Sequence, residues 1–295
     1  MDVVRYTQAA PLLRRPVLVA AFRGWNDAGE CASAALDALA VELEAVPFAE
    51  IDGEEFYDFQ VARPLIHEGP DGARALEWPE NRLRWASLPG TDRDVVLLDG
   101  TEPNLRWRTF SRAVLGIAER LGVELVVTVG ALQVDVPHTR PTPLTGSATD
   151  PALLERLGVT TSDYEGPTGI TGVLHHAVAE AGLAGLSLWA GVPHYLAGAS
   201  FAAGTLALAE AIVALLDADV SLDELARDAI TQREEIGELV ADDEELASYV
   251  SELEERIDAA ADALAFPDTA ELPDSSVSGD ELAAELERYL RDRDR

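Results

Sequence analysis

Val17-Leu18-Val19-Ala20-Ala21-Phe22 lies between Pro16 and Gly24 as an unbroken apolar run. A short, valine-rich run without alternation predicts a parallel strand buried on both faces. The Ala-rich stretch from Gly29 to Ala45 follows, with Leu36, Leu39 and Leu43 on one helical face. The same alternation recurs. DVVLLD at 94–99 precedes Trp107, Phe110, Val114, Ile117 and Leu121 at helical spacing, which Gly122 stops. VELVVTV at 123–129 predicts a third strand, 169–181 a helix, LSLWA at 186–190 a fourth strand, and 201–216 a helix apolar on nearly all sides. Strands alternating with helices predict an α/β fold with a mostly parallel sheet covered on both faces.

Between the first two strands the texture changes. FYDF at 56–59, Ala75–Trp78 and Arg82–Ala86 are short pieces separated by Gly69, Pro70, Gly72 and Pro79. They predict an antiparallel edge or flap beside the parallel strands. Beyond Leu216 the chain turns acidic: residues 217–295 hold 26 acids and 7 arginines, a net of −19. Ser221 with Glu224 has capping-box spacing, and helices are expected there, at 242–264 and at 280–291. The expected organisation is a core domain over 1–216 and an acidic helical subdomain over 217–295.

The whole chain of 295 residues carries 54 acidic and 22 basic side chains, a formal charge of −32. Every basic residue is arginine, so a GxxxxGK[ST] phosphate loop, a Schiff-base lysine and a kinase-type lysine are excluded. One cysteine, Cys31, excludes an intrachain disulfide, a CxxC pair and a multi-cysteine zinc site. The acidity argues against nucleic acid and anionic membranes as partners. Asp2, Arg5, Arg14 and Arg15 interrupt any leader-like segment, and glycines, Pro193 and His194 break the charge-free stretch 181–209. A soluble cytoplasmic protein with no membrane span, no metal and no cofactor is expected.

Ligands of open parallel sheets bind beyond the carboxyl ends of the strands. Each of the four strands is followed there by a polar loop: GWNDAG at 24–29, GTEPNLRWR at 100–108, DVPHTRP at 135–141 and GVPHY at 191–195. Neighbouring strands would bring Asn26, Asp27, Glu102, Asn104, His138, Arg140 and His194 to one rim. The turn YEGPTGITG at 164–172 adds Glu165, Thr168 and Gly169 at a helix start, where amides can face an anion. Asp27, Glu102 and His138 are the candidate proton-handling groups. Trp25, Asn26, Asn104, Arg106, Arg140, Glu165, Thr168, Gly169 and His194 are candidate ligand contacts. The competing reading is structural: Asn and Asp capping helices, His held by backbone, Arg paired with acids.

Six strings carry a family likeness: GWNDAGE at 24–30, FYDFQVARP at 56–64, GTEPNLRWRTF at 100–110, GALQVDVPHTRP at 130–141, YEGPTGITGVL at 164–174 and SLWAGVPHY at 187–195. They resemble the proteasome assembly chaperone 2 family, in its longer bacterial branch. The resemblance implies a three-layer α/β/α, phosphorylase/hydrolase-like fold and a homo-oligomer, with a trimer as one form. It also implies a protein-interaction or assembly-chaperone role without established catalytic activity. The alternative is a phosphorylase/hydrolase-like enzyme, or a sensor of a nucleoside-like or anionic ligand. The chain departs from the family pattern in three places. ASFAAGT at 199–205 replaces a lysine-containing run, Ala62 an asparagine, and Gln133-Val134 a more apolar pair.

Overall fold

A computed structural model describes residues 3–69 and 72–265. Its strands are β1 (Val4–Tyr6), β2 (Val17–Arg23), β3 (Val46–Ile51), β4 (Leu65–Glu68), β5 (Arg74–Glu77), β6 (Asn81–Ser87), β7 (Asp94–Thr101), β8 (Leu125–Val134), β9 (Leu144–Ala148), β10 (Thr160–Thr161) and β11 (Ala184–Pro193). Its helices are α1 (Cys31–Glu42), α2 (Trp107–Leu121), α3 (Ala152–Leu157), α4 (Ile170–Glu180), α5 (Ala202–Leu216), α6 (Asp223–Ala241) and α7 (Glu244–Ala265). The helix expected at 280–291 lies outside the described residues.

Nine strands form one sheet in the order β1-β3-β6-β7-β2-β8-β11-β9-β10. Its centre, β7-β2-β8-β11, is parallel. β6, β3 and β1 extend it antiparallel on one side, and β9 pairs antiparallel with β11 on the other. Of the pieces expected as an antiparallel edge or flap, Arg82–Ala86 falls in β6 of that edge, and Ala75–Trp78 overlaps β5, which pairs with β4 in a separate hairpin. FYDF is not a strand. Asp52 accepts the amide of Glu54 and opens a 3-10 turn, after which Phe56 and Tyr57 are buried.

Side-chain alternation along β2 makes the three layers. Val17, Val19 and Ala21 pack with Leu36 and Leu39 of α1 and Leu208 and Ile212 of α5. Leu18, Ala20 and Phe22 pack with Phe110, Val114 and Ile117 of α2 and Ile170 and Leu174 of α4. Burying both faces of such a strand stabilises the fold by about 25 cal/mol per Å² of apolar surface removed from water. α5 is apolar on nearly all sides because it lies between the sheet and α6, with Glu210 left exposed. The described residues fall into two units, one up to Glu254 and one from Glu255 onward. No helix among them is long and apolar enough to cross a membrane.

Candidate functional site

Loops leaving β2 and β7 meet the start of α4. Asn26 is fully buried, and its Nδ2 donates to Glu102 Oε1 at 2.6 Å. The amide of Ile170 donates to the same oxygen at 2.9 Å, and the amide of Trp25 reaches Glu102 Oε2 at 3.4 Å. The anion at the N-terminus of α4 is therefore the protein's own Glu102, whose charge complements the helix dipole. Gly169 is required by this approach: a Cβ there would fall 2.2 Å from Asn26 Oδ1 and 2.6 Å from Glu102 Oε1. Asn26 Oδ1 is itself buried, with no hydrogen-bond partner among the described residues. Trp25, 66% exposed, and Tyr164 stand in solvent.

Asp27 faces α1. Its Oδ1 accepts the amides of Ala32 at 2.8 Å and Ser33 at 3.2 Å, and its Oδ2 accepts the Ser33 hydroxyl at 2.6 Å. Burial holds this carboxyl above its ordinary range, against the lowering effect of those hydrogen bonds.

The loops after β8 and β11 build a second group of side chains. His138, 3% exposed, donates its amide to the Tyr195 hydroxyl at 2.7 Å, and its Nδ1 lies 2.8 Å from that hydroxyl. The other ring nitrogen, Nε2, is buried without a partner among the described residues. Burial lowers the His138 pKa and pushes the Tyr195 phenol up to about 12. His194 Nδ1 lies 3.1 Å from Asp135, and its ring meets Tyr249 of α7 edge-on. Arg140 pairs with Glu254 at 3.2 Å, and the Thr139 hydroxyl donates to the same carboxylate. Tyr249 and Glu254 belong to an acidic helix whose sequence texture marks neither for the site.

The remaining candidates stand apart. Asn104 Oδ1 accepts the amide of Asp58 at 3.1 Å, and Arg106 pairs with Glu55. Both residues tether the turn after β3 to the loop after β7. Glu165 and Thr168 are exposed on the turn before α4. The seven expected rim residues therefore divide: Asn26 bonded to Glu102, Asp27 in the loop after β2 bonded to the first turn of α1, Asn104 at the turn, and His138, Arg140 and His194 in the second group. Unmarked by the loop pattern is a cavity of about 490 Å³ at the ends of β2 and β7, on the α1 face of the sheet.

A parallel four-strand centre covered by helices on both faces, with polar groups at the strand ends, defines a three-layer α/β/α protein. A model of the PAC2 family matches residues 21–240, and the chain belongs to that family. A proteasome-assembly chaperone homologue from Mycobacterium tuberculosis is 45% identical and has a TM-score of 0.73, over 79% of this chain and 99% of that one. A PAC2 family protein from Streptomyces avermitilis is 44% identical at a TM-score of 0.74, over 80% and 99%. An archaeal proteasome activator from Pyrococcus furiosus, 18% identical, has a TM-score of 0.65 over 81% and 99%, a likeness of fold alone. Among curated proteins none matches.

Proposed function

We propose that this PAC2 family member is a cytoplasmic, assembly-chaperone-like protein that works through its surfaces, associating with copies of itself and with protein partners. One observation carries the reading: hairpin β4–β5 presents Ile66 and Leu76, paired across the strands and 61% and 48% exposed. A two-stranded hairpin is marginally stable by itself in water, so an apolar face on one calls for a cover. The chaperone homologue named among the relatives supports the assembly reading. So do Asp27 and Glu102, whose carboxylates are engaged in capping α1 and α4. Light scattering on size-fractionated protein tests it, with Ile66→Asp/Leu76→Asp beside the wild type. Multimers that the double variant shifts toward monomer are expected; a wild-type monomer at every concentration refutes the reading.

A second reading takes Asp27, Glu102 and His138 as proton-handling groups for a nucleoside-like or anionic ligand, with Trp25, Asn26 and Gly169 around it. The buried, unpartnered Asn26 Oδ1 and His138 Nε2 favour it. Saturable stabilisation by a nucleoside, about 2.7 kcal/mol at a hundred times Kd, lost in Glu102→Gln and His138→Ala, would establish it.

A further inference from the structure

On the α1 face, α1 covers β2 and β7, and the outward residues of β6 next to them face a cavity. The odd-numbered positions of β2 and β7 and the even-numbered ones of β6 face this side, because Val17, Val95 and Ala86 all pack in the α1 layer. Arg23, Asp99, Arg82 and Arg84 therefore gather at the carboxyl ends of β2 and β7, with Arg63 on the approach from the hairpin. Four arginines line the cavity together with four carboxylates, Asp37, Glu77, Glu80 and Asp99, and Arg82 is paired with Glu80, so the oxyanion-binding capacity rests on Arg23 and Arg84.

The floor is a fixed frame. Arg84, with 20% of its side chain exposed, pairs with Asp99 at 2.7 Å and donates to Asp37 of α1 at 3.0 Å. Asp37 bridges on to Arg23. A buried pair of this kind adds little stability over apolar packing, since desolvation offsets most of the attraction. What it does here is hold two guanidinium groups side by side. Nε and Nη1 of Arg23 and Nη1 of Arg84 donate to no acceptor among the described residues, and Arg63 has no ion-pair partner among them. Guanidinium forks match carboxylate and phosphate oxygens in pairs.

One wall is apolar. Trp78 packs edge-on against Phe59, ring centroids 4.8 Å apart, and stays 48% exposed beside Leu65 and Pro79. Leu65 and Glu77 are cross-strand partners that line the cavity, on the hairpin face opposite Ile66 and Leu76. A volume of about 490 Å³ suits a small organic molecule.

We propose that this cavity binds a small molecule joining one oxyanion, carboxylate or phosphate, to an aromatic or apolar body, with the oxyanion on Arg23 and Arg84 and the body against Trp78. The assignment goes beyond association through surfaces and uses none of the capping carboxylates.

Titration calorimetry on the full chain tests it, with benzoate, phenyl phosphate, inorganic phosphate and benzyl alcohol as probes. Saturable binding of benzoate or phenyl phosphate is expected, and whichever binds tighter identifies the oxyanion. Inorganic phosphate should bind at least about tenfold more weakly, and benzyl alcohol not measurably. Arg23→Gln and Trp78→Ala, both at half-exposed positions, should each weaken binding by about tenfold or more. Arg84→Gln is made with Asp99→Asn, so that no buried carboxylate is stranded, and should abolish binding. No saturable binding of either aromatic probe below ~10 mM, or unchanged affinity in both Arg23→Gln and Trp78→Ala, overturns the proposal. Neither result bears on self-association, which is read by mass.

Discussion

Asp27 accepts three hydrogen bonds from the first turn of α1, so its removal leaves two helix amides without an acceptor. Asp27→Ala should lower the unfolding free energy by about 1–2 kcal/mol in urea titrations, and Asp27→Asn, which keeps an acceptor, by less. His138 makes a prediction in pH. Its folded pKa lies below the ordinary 6.5 because burial disfavours the charged ring, and His175 is shifted the same way. The stability such a group contributes is fully present above the ordinary value and is lost as pH falls through the lowered one. Each ring contributes a slope of at most about 1.4 kcal/mol per pH unit. Denaturation midpoints should therefore fall below pH ~6.5, and His138→Gln should flatten that decline; an unchanged slope would contradict the assignment. At this scale the sequence was partly legible. Polar loops at strand ends marked Asn26, Glu102 and His138, but not the atoms they bond. Tyr195 lies 57 residues from the His138 it holds, and Glu254 lies 114 from Arg140. Neither separation leaves a local pattern.

The element that joins the polar groups to the fold is the start of α4. Gly169→Ala would drive a methyl into Asn26 and Glu102, so thermal unfolding should show a loss of about 1–3 kcal/mol, as overpacking produces. A Gly169→Ala protein as stable as wild type would show that this contact is slack. Among the elements, β2, β7, β8 and β11 were readable because a strand buried on both faces must be apolar throughout. β3, β9 and β10 were not. β3 is half exposed and holds Pro47 beside a bulge, and β10 has two exposed residues, so neither shows a period. FYDF misled for a physical reason: its aromatics look strand-like. In the structure Phe56 packs edge-on against Phe110, and the Tyr57 hydroxyl donates to Thr101 O at 2.7 Å, anchoring a turn.

At the scale of the whole molecule, charge governs behaviour. With 54 acids against 22 arginines, self-repulsion opposes the folded state and any assembly of it. Melting temperature should rise as sodium chloride increases from ~0.01 to ~0.5 M, where the screening length falls well below the protein's size. A flat or falling response would mean that the local arginine–carboxylate pairs already balance the repulsion. The layered fold was legible here, because strand–helix alternation and the family strings pointed the same way. The cavity beside β6 was not, because its arginines come from three separate segments of chain. The proposed association depends on the hairpin's apolar face, Ile66 and Leu76. Sedimentation velocity on the wild type at about 0.15 M salt, near one physiological screening length of ~8 Å, tests it most directly. A mass that is an integer multiple of the chain, falling toward monomer in Ile66→Asp/Leu76→Asp, is the predicted result. A single monomeric boundary at all concentrations would contradict it.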